Sequence, residues 1–465
     1  MQPVVEPRSL QWIAEVCGGK PMPASECAIR RISTDSRTVQ KDDLFVAIAG
    51  DRFDGHEFLA EVARKGAAAA LAERRRCKAT DPSLPIILVE DSRRALGQIA
   101  TKYRRDFNIP IIAVGGSNGK TTTKELLGSV LRQKMRTLTS EASFNNDIGV
   151  PLTLLRLEAT HEAAVLEVGT NHPGELGPLV ELVQPRYGVI PSIGPEHLEF
   201  FGDLAGVAEE EGALARALPS HGKLFVNGDS PELDRLLRGT KAEIVRVGKG
   251  AANDWRIEEV LMDARGVAFT LIGPHPDFCG RYQVSLFGTH QALNVALVVT
   301  VGSELGLSRA EIQRGLSEVQ PPKMRLQLID LQGLRILDDT YNANEDSMRA
   351  ALQTLRDFPC HGRRVAVLGD MAELGAHSES AHQAVGAAAA TAGIDRLVAI
   401  GNMASSTAGS ARAAGMNAVE IFADVAEAIP ALRQWLRPGD LVLVKGSRAA
   451  RLERVVEALR QQIVG

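Results

Sequence analysis

Ala113-Val114-Gly115-Gly116-Ser117-Asn118-Gly119-Lys120-Thr121-Thr122 is the stretch on which the reading of this chain turns. It lies between a buried-strand run, Ile111 to Val114, and a helical segment, Thr121 to Arg132. Successive backbone N–H groups in such a turn wrap around phosphate oxygens, aided by the helix N-terminus. Glycine at 116 and 119 lets the backbone come close, and Ser117, Asn118 and Thr122 complete the loop. Lys120 would reach the terminal phosphates and the Thr121 hydroxyl would hold Mg²⁺. Val114 stands where the general pattern has its first glycine. The bland alternative is an ordinary Gly-rich turn. Gly-Lys-Thr-Thr between a strand and a helix argues instead for an ATP or GTP site.

Working outward, strands are expected at Ala163 to Val168, Tyr187 to Ile193 and Lys223 to Val226, with helical segments between. That alternation belongs to a mainly parallel sheet. Upstream, Leu44 to Ile48 and Ile86 to Val89 read as short strands, Phe58 to Ala72 as an Ala-rich helix, and Arg93 to Arg105 as a connecting helix. From Pro321-Pro322 a third block begins, in which Val365 to Leu368, Leu397 to Ile400 and Leu441 to Val444 each run into a glycine turn. Ligands of doubly wound sheets sit at such strand ends. The fold class is α/β, in three units: 1–100, a central phosphate-loop domain with a parallel sheet at 101–320, and a Rossmann-like domain at 321–465.

Composition bounds the function. Of 465 residues 45% are hydrophobic and 24% charged, enough apolar material for several cores. Lys and Arg total 53 against 57 Asp and Glu, a net charge of −4, which argues against a general nucleic-acid or membrane-surface binder. No apolar run reaches transmembrane length, and Met1 to Leu10 has no signal pattern. The five cysteines are widely spaced without a Cys-x-x-Cys pair, so neither a disulfide framework nor a zinc site is expected. A cytoplasmic, monomeric protein is expected.

Glu167 ends a strand and could hold Mg²⁺ in the crevice; taken alone, a strand-end Glu is more often a solvated turn residue. His197, in Gly194-Pro195-Glu196-His197, could be a packed or exposed loop histidine. The phosphate loop raises both, because phosphoryl transfer needs cations to neutralise developing charge.

The sequence resembles the Mur ligases of peptidoglycan synthesis over nearly its whole length. Ser33-Thr34-Asp35-Ser36-Arg37 and Arg52-Phe53-Asp54-Gly55-His56 resemble that family's N-terminal motifs, and Gly116 to Thr122 its ATP loop. Phe144-Asn145-Asn146-Asp147 is similar to its substrate-side segment, and Gly288-Thr289-His290-Gln291 through Asn294 to its adenine-contacting helix start. Asp338-Asp339-Thr340-Tyr341-Asn342-Ala343-Asn344, Leu368 to Gly375 and Val444-Lys445-Gly446-Ser447-Arg448 complete the likeness, which is strongest to the last ligase of the series.

The resemblance implies an ATP-dependent amide ligase that adds D-alanyl-D-alanine to UDP-N-acetylmuramoyl-tripeptide through an acyl phosphate. It implies catalysis by Lys120, Glu167, His197 and Glu211, with Mg²⁺ on Thr121, Glu167, His197 and Glu211. Asn294, Arg325 and Asp339 join the loop in holding ATP, and Ser36, Arg37, Asn145, Asn146, Asn342, Asn344, Lys445 and Arg448 contact the substrates. Residues 1–100 would bind the UDP-sugar, and residues 321–465 the dipeptide and part of the ATP. Several of these have plainer alternatives: a loop cap and pair for Ser36 and Arg37, a turn-initiating Asp339, surface charges for Lys445 and Arg448, and a helix-cap pair for Asp370 and Glu373.

The departures are informative. The family's Pro-Gly-Arg hinge reads Pro322-Lys323-Met324-Arg325, Glu345 replaces a proline after Asn344, and Gln291 replaces an asparagine. Where the family carries a carbamylated lysine, Ala208-Glu209-Glu210-Glu211-Gly212 places Glu211, a permanent carboxylate that could substitute for the carbamate. The alternative is one more charge on a solvated acidic helix face. Rival functions are another amide ligase of the superfamily, such as the diaminopimelate- or lysine-adding enzyme or a folylpolyglutamate synthase, and a silent nucleotide-binding scaffold. No Asp-Asn-Pro-Arg run of the diaminopimelate-adding type occurs.

Overall fold

The computed structural model of the protein describes residues 4–50, 53–77 and 84–464; Arg52 of the N-terminal motif lies outside them. Three sheets follow one another along the chain. The first, in the order β1-β3-β4-β5-β6-β2, uses Val4–Ser9 (β1), Pro21–Met22 (β2), Ala28–Ser33 (β3), Asp43–Val46 (β4), Ala69–Glu73 (β5) and Ile86–Val89 (β6). The central sheet uses Ile111–Val114 (β7), Thr137–Thr139 (β8), Ala163–Glu167 (β9), Tyr187–Ile190 (β10), Lys223–Asn227 (β11), Glu243–Gly248 (β12), Trp255–Asp263 (β13), Gly266–Ile272 (β14) and Gly280–Val284 (β15). Its order is β15-β14-β13-β12-β11-β10-β7-β9-β8. The last, β16-β17-β21-β18-β19-β20, uses Gln327–Leu331 (β16), Leu334–Asp339 (β17), Arg364–Gly369 (β18), Arg396–Ile400 (β19), Val419–Phe422 (β20) and Leu441–Lys445 (β21).

Strand β7 shows why the sheets are covered on both sides. All four residues are buried. Ile111 and Ala113 join one core while Ile112 and Val114 join another, because successive side chains of a strand point to opposite faces. Neighbours from β8 through β13 run parallel, as the strand–helix alternation implies. The antiparallel run β13-β14-β15 has no counterpart in the sequence expectation. The chain leaves β7 toward β8 and β9 but leaves β10 toward β11, so the crevice of the sheet opens between the ends of β7 and β10. The phosphate loop begins there.

Two boundaries depart from expectation. The Ala-rich stretch is not one helix to Ala72: the helix stops at Arg64, Gly66 turns left-handed (φ 86°), and Ala69–Glu73 is a buried strand between β4 and β5's other neighbour β6. Ala67 N–H bonds to the Val62 carbonyl across that turn, a helix-stop pattern that alanine propensity does not foretell. β10 ends at Ile190 because Pro191 cannot donate to the ladder. Among the described residues no helix is long and apolar enough to cross a membrane.

The helix Lys120–Leu131 is locked from behind by the helix Arg309–Glu318. A Cβ on Gly315 would lie 2.5 Å from the Cα of Val130, and the Ser129 hydroxyl donates to the Gly315 carbonyl at 2.7 Å. Backbone cannot yield to a methyl at that distance, so Gly315→Ala should force the helices apart and cost about 1–3 kcal/mol. Urea unfolding of the variant checks this; an unchanged midpoint would show that the close approach is not needed.

Candidate active site

The phosphate loop is braced before any ligand arrives. Ser117 N–H donates to the Ser192 carbonyl and Asn118 N–H to the Ser192 hydroxyl, both at 2.8 Å, while the Ser117 hydroxyl donates to the Gly194 carbonyl at 3.0 Å. These partners follow β10, on the other side of the crevice. Gly116 and Gly119 are left-handed (φ 94° and 88°), and a Cβ on either would lie within 2.8 Å of Ser192 O or Asn294 Oδ1. Only glycine fits. The Lys120 ammonium folds back on the loop, donating to the Gly116 carbonyl and, at 3.1 Å, to the Ser117 carbonyl.

Three carboxylates surround that ammonium. Glu196 Oε2 lies 3.5 Å from it. Glu211 is 1% exposed; its Oε2 accepts the Gly116 N–H at 2.6 Å and its Oε1 is buried without a partner. Glu167 is also 1% exposed; its Oε1 accepts from Asn145 Nδ2 at 2.9 Å and its Oε2 is likewise unpartnered. Burial by itself pulls the Lys120 pKa down, but the charges of Glu196, Glu211 and Glu167 outweigh it and hold the group above its usual range. Burial pushes the Glu211 carboxyl up to about 7, against the pull of Lys120 and the Gly116 N–H. The solvated-face alternative for Glu211 is therefore excluded. Of three consecutive glutamates Glu209 is exposed, Glu210 accepts the Gly174 and Leu176 N–H groups at 2.7 and 2.8 Å, and Glu211 turns into the phosphate loop.

The third unit closes the other wall of a cavity of about 1030 Å³. Arg325 stacks over the Tyr341 ring at 4.2 Å and donates to the Thr121 hydroxyl at 3.0 Å. Asn344 Nδ2 donates to Asn118 Oδ1 at 3.0 Å. Asp339 accepts the Leu326 N–H at 3.1 Å and pairs with buried Lys445 at 2.6 Å, and Lys445 also donates to the Asn342 carbonyl at 2.9 Å. Asn294, Asn145, Asn146 and His197 line the same cavity. The departures from the family pattern have local accounts. Met324 stands where the pattern has glycine and takes a left-handed φ of 61°; Glu345, in place of proline, begins the helix Glu345–Asp357, where its charge suits the helix N-terminus.

The chain matches the Mur ligase family, catalytic domain over residues 28–104, the Mur ligase middle domain over 114–302, and the Mur ligase, glutamate ligase domain over 324–448. It is 36% identical to the UDP-N-acetylmuramoyl-tripeptide–D-alanyl-D-alanine ligase of Escherichia coli, covering 97% of this chain and 98% of that one. The chain belongs to the Mur ligase family. Among solved structures it is similar to MurF from Acinetobacter baumannii (TM-score 0.89, 33% identity, 99% of this chain and 100% of that one). It is also similar to the MurF ligase of Thermotoga maritima solved with ADP (TM-score 0.81, 28% identity, 94% and 98%).

Not every expected site residue of this Mur ligase meets at the cavity. Arg448 is exposed and lies 3.5 Å from Glu453, outside the lining. Ser36 offers its carbonyl to Lys65 at 2.8 Å, and Arg37 is exposed and paired with Asp35 at 2.7 Å, within the first unit. His197 is engaged by the Glu373 carboxylate of the third unit. Asp370 accepts the Asn402 and Met403 N–H groups at 2.8 and 3.0 Å, so it holds the turn that leads into the helix Ala404–Ala413 rather than pairing with Glu373. Among the described residues no three His, Cys, Asp or Glu side chains form a metal cage. Mg²⁺ does not need one, since it is commonly held by one or two carboxylates together with phosphates. The unpartnered oxygens of Glu167 and Glu211 fit such an ion. Sequence reasoning passed over Glu196, Tyr341 and Lys124. Glu196 was adjacent to His197, but nothing in the sequence tells which of two neighbouring loop side chains turns inward.

The raised Glu211 pKa fixes a sign. Between its ordinary value of 4.5 and about 7, the folded chain keeps a proton that the unfolded chain has released. Stability contributed by that proton is lost as pH rises through this window. In magnesium-free buffer, Glu211→Gln should flatten the decline and be the more stable protein above about pH 7. Urea midpoints across pH measure it, and parallel profiles for the two proteins would overturn the assignment.

Proposed function

We propose that this Mur ligase joins D-alanyl-D-alanine to UDP-N-acetylmuramoyl-tripeptide with ATP, in the making of peptidoglycan precursors. The observation that carries this is the cluster of Lys120, Glu167 and Glu211 at the phosphate loop, walled by Arg325 and Asn344 from the third unit. The likeness to the E. coli ligase supports the choice of substrates.

A carboxylate does not condense with an amine in water because oxide is a very poor leaving group. Transfer of the γ-phosphoryl of ATP to the tripeptide's terminal carboxylate releases ADP and gives an acyl phosphate; attack by the free dipeptide amine then forms a tetrahedral intermediate that loses a proton from nitrogen and expels phosphate, leaving the amide. Both steps gather negative charge, so placed cations supply most of the rate. Lys120 would leave the loop carbonyls for the phosphoryl oxygens. Residues 101–320 would hold ATP, with Asp339 toward the ribose and Asn294 toward the base. Residues 1–100 would take the UDP-sugar through Ser36 and Arg37, and residues 321–465 the dipeptide. Closure of the units would exclude water from the acyl phosphate. Thr121, Glu167 and Glu211 would hold Mg²⁺, with His197 joining on release from Glu373; the ion would supply further neutralisation of phosphoryl charge. Glu211, being a permanent carboxylate, would need no carbon dioxide to serve there.

Phosphate release with ATP, UDP-N-acetylmuramoyl-tripeptide and D-alanyl-D-alanine, each omitted in turn, tests the reading. Turnover should require all three, and folded Lys120→Ala should lose about 10³-fold or more. Release that does not need the dipeptide would sink the ligase assignment. A second comparison separates two expected substrate residues. Lys445 is buried against Asp339 and Arg448 is exposed, so Lys445→Met should raise the KM for ATP about tenfold, whereas Arg448→Met should leave it within about twofold. Equal effects would mean that the Lys445–Asp339 pair does not serve the nucleotide.

A further inference from the structure

Lys124 is fully buried, with 0% exposure, one helical turn beyond Lys120 on the same helix. Its ammonium donates to the Ser140 carbonyl at 2.9 Å and the Ala142 carbonyl at 2.6 Å, and it lies 2.8 Å from Glu125. Burying an ammonium is expensive, and an apolar side chain of similar length would pack a helix at no such cost. What the charge obtains in return is the shape of one loop. Ala142 is held left-handed (φ 45°), a conformation an alanine rarely keeps unaided.

That loop leads to the carboxylate side of the cavity. The Ser140 hydroxyl accepts the Glu167 N–H at 3.1 Å. Further on, Asn145 donates to Glu167 Oε1 at 2.9 Å, and its carbonyl accepts the Gly169 N–H at 2.9 Å. Asn146 Oδ1 accepts the Gly149 N–H at 2.9 Å, fixing the exit of the loop. One helix thus presents a lysine to the phosphate loop and, a turn later, a lysine to the loop carrying the two asparagines.

We propose that Lys124 is a positioning residue for residues 140–146, setting where Asn145 and Asn146 meet the UDP-linked peptide, while the phosphate loop keeps its own bracing from Ser192 and Gly194. This rests on the ligase reading above. The test is Lys124→Met, read three ways: ADP affinity by calorimetry in magnesium-free buffer, where Glu167 plays no part, KM for UDP-N-acetylmuramoyl-tripeptide, and amide hydrogen exchange of residues 141–147. Charged hydrogen bonds of this kind are worth tenfold or more, so the KM for the tripeptide should rise about tenfold or more, with ADP affinity within about threefold of the parent. Exchange should quicken in that loop and not in the phosphate loop. Lys124→Gln, which keeps an amide donor, should fall between, and carries the same comparison if the methionine variant does not fold. Equal losses for ADP and the tripeptide would reduce Lys124 to a core residue. Unchanged exchange in the loop would overturn the clamp whether or not the tripeptide is the substrate, so the two readings can fail separately.

Discussion

One half-buried ammonium set among three carboxylates is the constraint around which this molecule is arranged. Charges that leave water must be compensated, and Lys120 alone cannot neutralise Glu167, Glu196 and Glu211. Burial, with the Glu196 charge adding to it, holds the Glu211 carboxyl up at about 7, and two buried carboxylate oxygens have no donor. A site in that condition favours a further cation. The positions are imposed by the central sheet: β7 delivers the loop and Lys120, β9 delivers Glu167, and the segment after β10 delivers Glu196. The ends of β7 and β10 lie at the reversal of strand order, where successive chain segments leave in opposite directions and a crevice must open, and the end of β9 borders it beside β7.

The third unit completes the site by contacts that span long stretches of sequence. Arg325 reaches Thr121, Asn344 reaches Asn118, and Glu373 engages His197. All three touch the loops that follow β7 and β10, so any shift of the third sheet changes the phosphate environment directly.

Composition and spacing made a good part of this legible. A glycine loop between a strand and a helix has few physical uses, and runs such as Ile111 to Val114 are apolar at every position only if both faces are covered. The third block's glycine turns likewise fall at the ends of parallel strands. The error at Ala67–Ala72 has a physical cause. Alanine favours a helix in isolation, but a small side chain between two parallel neighbours is also at home in a sheet, and Gly66 had already ended the helix.

Local sequence by itself determined the phosphate loop, the alternation of strand and helix, and the strand ends at which ligands gather, because these depend on backbone sterics and on periodicities of a few residues. It did not determine which of Glu209, Glu210 and Glu211 would face the loop, since three consecutive helical residues point three ways and only the packing of that helix against the helix Leu176–Val183, beside the phosphate loop, selects one. Nor did it determine that Lys445 would bury itself against Asp339, or that Lys124 would hold the loop bearing Asn145. Those pairings join residues that only the folded sheets bring within a hydrogen bond's reach. Tertiary structure decided them because the cost of burying a charge can be met only by the partner that arrives beside it.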